Sequence, residues 1–330
     1  MAKTILDLDK LVADGSLSAE DANRLKGLGE PSNRIGVFIN LFCILGALAV
    51  AAGVVALEPS PAIGLLLALV ALGGGAALYF TTGKDWRVLA HGLVIMGCVG
   101  LVGWMAWQAE ETWPDGMGWV VHLFAFMIFT GAAVIFRQPF LAALSPLALG
   151  ALVGSGTAYW HASYGIFVRE ATLSILLFSA VAGWLYWLRN RLDEAWQGIT
   201  TVAARVSFFM VNFAFWVGSL WGDWIGEMWA APDRWWGASQ EWREHAIFIH
   251  EGIFSIGWLA FLVACIWLGT RDHRRFLANT AVVFLAIHAY TQLFETLGAA
   301  PWTLVIAGLS MVGVAAGVAR FDAWQKARAA

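Results

Sequence analysis

The chain has 330 residues with a formal net charge of −3, and 60% of its residues are hydrophobic while only 13% are charged. A water-facing domain is roughly half apolar and about a quarter charged, so this composition describes a membrane protein whose first partner is the lipid bilayer. It also excludes nucleic acid as a partner, because the chain has no basic footprint and no long run of like charge.

Residues 1–34 come first and are polar. No small-residue cleavage pattern follows an apolar core there, which predicts that the first apolar run is retained as a span. Residues 4–29 read as a cytoplasmic helical pair. Leu6, Leu11 and Val12 form one apolar stripe, Asp14-Gly15 turns the chain, and Ser18-Ala19-Glu20-Asp21 is an S-x-x-D cap opening a second helix with Ala22 and Leu25 inside. So small a unit holds no core of its own, so residues 1–30 are expected either to pack on cytoplasmic loops or a partner protein or to remain a solvated amphipathic tail.

A crossing helix needs roughly 17 to 25 mostly apolar residues. Runs meeting that need fall at 35–57, 62–80, 88–108, 117–136, 138–160, 170–188, 199–221, 246–268, 277–297 and 301–319. Proline punctuates the tight junctions Glu58-Pro59-Ser60-Pro61 and Arg137-Gln138-Pro139. The fold class expected is therefore an all-α polytopic bundle of about ten spans, with a membrane domain over 35–319 and a cytoplasmic tail over 320–330.

The stretch from Leu11-Val12-Ala13-Asp14-Gly15 through Ser18-Ala19-Glu20-Asp21-Ala22, a polar segment to Arg34, and the glycine-spaced span Leu45-Gly46-Ala47 to Gly53-Val54 resemble a bacterial family of multispanning membrane proteins. This is the domain-of-unknown-function family numbered twenty-one fifty-seven. The resemblance covers about the first sixty residues and implies a bacterial inner-membrane location. It implies no catalytic residue.

Orientation follows from Lys and Arg, which stay on the cytoplasmic side of the connections. Of the 20 such residues, all fall on one side of the ten-span plan except Arg169, Arg234, Arg243 and the intra-span Arg205. Both termini are thus predicted to be cytoplasmic. The opposite loops hold the acids Glu58, Glu110, Glu111, Asp115, Glu170, Asp223, Glu227, Asp233, Glu241 and Glu244. Many of the 20 tryptophans fall at the span ends, where they read as interfacial anchors.

The longest outer connection, 222–245, is tryptophan-rich. Trp221, Trp224, Ile225, Met228 and Trp229 recur at helical spacing, and Pro232 restarts the chain before Trp235, Trp236 and Trp242. The segment is expected to lie flat on the outer surface, either as an anchor or as a lid formed by Trp224, Trp229, Trp235 and Trp236.

Ionisable groups inside spans are costly and mark candidate sites. His288, Gln292 and Glu295 lie on one stripe of the ninth run, His250 and Glu251 lie near the outer end of the eighth, and His122 lies at similar depth in the fourth. Such a band would relay protons, bind a substrate, or hold a transition metal on His250, His288 and Glu295. Paired-histidine haem ligation fits less well, since no facing pair is identifiable. No H-E-x-x-H, C-x-x-C, G-K-[ST] or G-x-S-x-G signature stands in a suitable place, so no cofactor and no catalytic residue is assigned. Cys43, Cys98 and Cys265 read as small buried hydrophobes.

Within the spans, Arg205 is expected to snorkel, Asn40 and Asn212 to bond neighbouring helices, Pro146 to bend its helix, and Gly73-Gly74-Gly75, Gly150, Gly154, Gly313 and Gly317 to admit close helix packing. The leading functional expectation is a transporter or permease-like protein with an outward-facing His/Glu-lined cavity. The alternatives are a scaffold or sensor docking its partner through residues 1–30, and an intramembrane lipid-modifying enzyme. Oligomerisation is compatible with each.

Overall fold

A computed structural model describes residues 8–28, 34–112, 118–160, 163–230, 239–298 and 301–329. Eight of the described helices are long and apolar enough to cross a membrane, so the chain is a multispanning membrane protein built mainly of helices. The fifth and tenth expected runs correspond to shorter apolar helical stretches, Pro139–Leu152 and Pro301–Ser310. The chain divides into two compact units, Met1–Leu101 and Val102–Ala330.

The first unit begins with α1 (Leu8–Ala13) and α2 (Ala19–Leu28). Between them Gly15 adopts φ +72°, and its N–H bonds the Val12 carbonyl at 3.1 Å. Ser18 caps α2 as its spacing predicts, accepting the Asp21 N–H at 3.0 Å and donating to the Asp21 carboxylate at 2.7 Å. Ala22 is buried, but Leu25 is 42% exposed, contrary to the expectation that both face inward.

Three spanning helices follow: α3 (Arg34–Leu57), α4 (Pro61–Thr81) and α5 (Arg87–Thr112), the division between units falling within α5. Pro61 opens α4 at its first turn, where a missing N–H costs nothing. Asn40 is 2% exposed and joins α3 to the start of α5: its Nδ2 donates to the Gly36 and Asp85 carbonyls at 2.6 and 2.8 Å, and its Oδ1 accepts the Leu89 N–H at 3.1 Å. Of the run Gly73-Gly74-Gly75 only Gly75 is a contact. A Cβ there would stand 2.7 Å from the Val94 nitrogen, so α4 and α5 meet backbone to backbone. Cys98 is buried as expected, whereas Cys43 is exposed.

In the second unit α6 (Gly118–Phe136) and α7 (Pro139–Leu152) form a hairpin. Arg137 takes φ +49° in the turn, Gln138 caps α7, and the Thr130 and Ser145 hydroxyls bond across the pair at 2.6 Å. Helix α7 does not continue to 160. It stops at Leu152, Gly154 turns at φ +83°, and the chain forms the antiparallel hairpin β1 (Ser155–Trp160) and β2 (Ser163–Val168), in register from Ser155 opposite Val168 to Trp160 opposite Ser163. Apolar content alone suggested one long helix. Gly154, at positive φ, instead ends the helix and lets the chain turn into the strands.

The strongest helix pairing joins α8 (Ala171–Arg189) to α9 (Glu194–Trp221). Beyond α9 the expected interfacial helix is also replaced. Gly222 turns at φ +69°, β3 (Asp223–Trp224) pairs with β4 (Phe248–Ile249), and among the described residues of this connection only the short α10 (Glu227–Ala230) and α11 (Gln240–His245) are helical. The spacing of Trp221, Trp224, Ile225, Met228 and Trp229 is therefore no continuous stripe. Gly222 breaks it, since a Cβ there would meet the Phe248 ring at 2.5 Å.

The unit closes with α12 (Glu251–Arg271), α13 (Arg275–Leu297) and α14 (Pro301–Ala329). Phe208 of α9, Trp258, Leu262 and Cys265 of α12, and Ala281 and Phe284 of α13 form a buried core. Asn212 is fully buried and accepts the Trp258 indole N–H at 3.1 Å, which satisfies the one polar atom that large ring brings inside. Arg205 is exposed, with its guanidinium 4.5 Å from the Phe276 ring centroid.

Candidate functional site

A half-open cavity of about 690 Å³ lies in the second unit where α7 stops short. Fourteen residues of helix span only about 21 Å, against a hydrocarbon core of about 30 Å. The hairpin β1–β2 follows the end of α7 and lines the cavity together with α6, α7 and α9. Its walls come from the start of α6 (Trp119, His122), the end of α7 (Leu147, Ala151), the hairpin with its exit (Ser155, Phe167, Arg169), α9 (Met210, Phe213) and Met228. Most of this surface is apolar. Arg169 is the charged residue in the lining and His122 the other titratable one, and both are half-buried.

Next to the lining residues Arg169 and Met228, two buried carboxylates exchange helix caps. Glu170 is 1% exposed and Asp223 3% exposed. The Asp223 oxygens accept the Ala171 and Thr172 N–H groups at 3.1 and 2.8 Å, capping α8 from the far end of the α8–α9 hairpin. Glu170 precedes α8 yet makes no cap bond to it. Its oxygens accept the Gly226 and Met228 N–H groups at 3.1 and 2.9 Å, fixing the turn that presents Met228 to the cavity. Carboxylates satisfy the orphan donors of a helix start and suit its positive dipole end. Burial nevertheless pushes the Glu170 pKa up, helped by the nearby Asp223 and Glu227 charges, although its two backbone hydrogen bonds oppose the shift. Gly154 completes the corner. Its carbonyl accepts the Arg169 N–H at 3.1 Å, and a Cβ there would meet the Met228 sulfur at 2.8 Å.

Among the described residues expected to form a site, only His122 lines this cavity. His250 and Glu251 pair with each other, Nε2 to Oε1 at 3.2 Å, with side chains 67% and 43% exposed, and His250 caps α12 by accepting the Gly252 N–H. His288 is buried in the α12–α13 core, its ring 4.9 Å from that of Trp258. Gln292 is half-buried and Glu295 exposed further along α13. No group of three His, Cys, Asp or Glu able to hold a metal occurs among the described residues. Trp224 packs on Phe248 at 4.5 Å between ring centroids, and Trp229 is exposed. Trp235 and Trp236 lie outside the described residues.

Sequence reasoning treated Arg169, Glu170 and Asp223 as ordinary loop charges. Arg169 carries one signal, a cation on the acid-rich side of the chain, which it shares with Arg234 and Arg243. Compared with known proteins, the chain matches no family model and no curated protein sequence. Its class rests on the molecule itself: a multispanning membrane protein with an amphipathic cavity beside a broken helix.

Proposed function

We propose that the protein is a permease-like transporter of a bacterial inner membrane, crossing ten times with both termini cytoplasmic, and that solute enters the cavity between α6, α7, α9 and the hairpin. One observation supports this reading above the others. A β-hairpin stands where the fifth crossing should be helical, and non-helical backbone at membrane depth is tolerated only where protein buries it or water reaches it. Under the ten-span topology the cavity residues Trp119, His122, Ala151, Arg169 and Met228 all fall toward the outer face, so the opening is outward. The cavity, with His122, then serves as the solute site. The pair His250–Glu251 and the stripe His288, Gln292 and Glu295 remain as groups that would carry coupled protons.

The test is uptake by purified protein in proteoliposomes, scored by mass spectrometry across a mixed panel of small acids, amines and sugars. At least one solute should accumulate saturably, and Ala151→Trp, which fills the cavity, should reduce that uptake about tenfold at equal incorporation. Equal accumulation of every panel member in protein-free liposomes would reject transport. A second reading, docking of a cytoplasmic partner by residues 1–30, is favoured by the exposed Leu25 on an otherwise self-capped helix.

A further inference from the structure

We infer that α9 and α13 form a lipid-facing groove that seats one anionic phospholipid, its headgroup on the Arg205 guanidinium and an acyl chain along a row of phenylalanine rings. The inference stands apart from the transport reading. Arg205 sits in a helix long and apolar enough to cross the membrane, about 16 Å along the axis from its first residue, Glu194. A guanidinium stays charged in proteins and is costly where it faces hydrocarbon. Yet Arg205 is exposed, and among the described residues no carboxylate lies within ion-pair distance of it. It rests instead on the Phe276 ring, 4.5 Å from guanidinium to centroid. Phe276 is the second residue of α13, so this contact brings the charge to the level of that helix's first turn, at the boundary of the span.

Beyond the charge the groove is hydrocarbon. Phe209 follows Arg205 by about one turn on the same face of α9. Its ring stands 6.2 Å from that of Phe276 and 5.7 Å from that of Phe284. Phe284 is buried beneath, whereas Phe209 is 38% exposed, so the row is open on one side. A chain laid along it touches rings throughout while its headgroup reaches Arg205. The charge of that head follows from the rim. Arg274 and Arg275 stand exposed at the start of α13, and the neighbouring acid Asp272 already pairs with Arg274 at 3.3 Å. A choline head would carry its own cation into this positive rim, whereas an anionic head gains from the rim and from the guanidinium. The planar fork of arginine matches two phosphate oxygens at once.

The experiment is native mass spectrometry of the full chain, delipidated in detergent and titrated with dioleoylphosphatidylglycerol, dioleoylphosphatidylcholine or glycerol phosphate. The first phosphatidylglycerol should bind about tenfold tighter than either of the others, the margin of a charge-assisted pair. Arg205→Gln should remove that margin, and Arg205→Lys should keep part of it. Arg191→Gln takes an equal charge from the turn between α8 and α9, at the same end of the unit, and should leave the margin intact. Equal binding of the two lipids overturns the inference, and being read on the wild type it does so even if Arg205→Gln fails to fold. An undiminished margin in Arg205→Gln overturns it as well. Equal losses in Arg205→Gln and Arg191→Gln would replace the site by diffuse attraction, with the same result. Glycerol phosphate binding as tightly as phosphatidylglycerol would make this a site for a soluble anion and defeat the lipid.

Discussion

The helices α3 to α5 of the first unit and the corner formed by α7, α8 and the turn after α9 in the second unit solve the same problem in opposite ways. Around α3 to α5 nearly every backbone polar group is spent inside a helix, so packing needs close approaches at glycines, Gly75 to Val94, Gly97 to Leu72 and Gly92 to Ile44, and one buried amide, Asn40. At the α7–α8 corner a helix ends early, and polar groups that lipid would not tolerate are matched one by one: strand to strand in β1–β2, and N–H to carboxylate at Glu170 and Asp223. Stability in the first region comes from regularity. In the second it comes from specific long-range partners, and beside them lies a cavity with room for a ligand.

The largest effect is expected at those partners. Glu170→Ala leaves two N–H groups, those of Gly226 and Met228, without their acceptor, each costing about 1–3 kcal/mol if it stays buried. Thermal unfolding in detergent should show the loss, and an Asp223→Ala cycle should be non-additive, since both acids hold the same corner. Full additivity of the two changes would mean that the caps act separately. In the first region Asn40→Ala should cost about 1–3 kcal/mol, because the Leu89 N–H loses its acceptor at a site 2% exposed.

A smaller contrast lies within the glycine run. Gly75→Val should destabilise by about 1–3 kcal/mol through overpacking against Val94, whereas Gly74→Ala, which meets nothing within 4 Å, should be neutral or slightly stabilising. Equal effects would show that α4 and α5 do not meet at Gly75. The smallest effect is the pH dependence of Glu170. Its folded pKa is raised, so its protonated form is the one that folding favours, and its contribution is fully present below the ordinary carboxylate range. That contribution falls as pH rises through the raised value, with a slope of at most about 1.4 kcal/mol per pH unit. Unfolding of Glu170→Gln measured across pH 4 to 8, about the range where such groups titrate, should lack this component. A wild-type slope of opposite sign would indicate that the two hydrogen bonds outweigh burial.

Much of this was legible in the residues. Uninterrupted apolar runs bounded by charge and proline mark the long helices, and Ser18 with Asp21 marks a cap that forms as spaced. Two segments misled for one reason. Apolar content up to 160 and helical spacing over 221–229 both point to helix, and neither registers that Gly154 and Gly222 turn the backbone to positive φ. His122 was visible as a polar group in a span, but its place in the cavity with Arg169 depends on α6 and the hairpin exit meeting in space. The exchange between Glu170 and Asp223 joins residues 51 to 58 positions apart, which no local pattern encodes.

That separation bears on how the chain is made. When α8 enters the membrane, the acceptors for its first N–H groups are still unsynthesised, and Glu170 has no amides to hold. Both wait for α9 to cross and bring Asp223, Gly226 and Met228 to the same side. The corner thus closes only behind a completed pair of crossings, so a ribosome stalled before residue 223 would leave α8 uncapped and open to quality-control proteases. Exchange of caps across the hairpin makes correct insertion of α9 a condition for finishing α8.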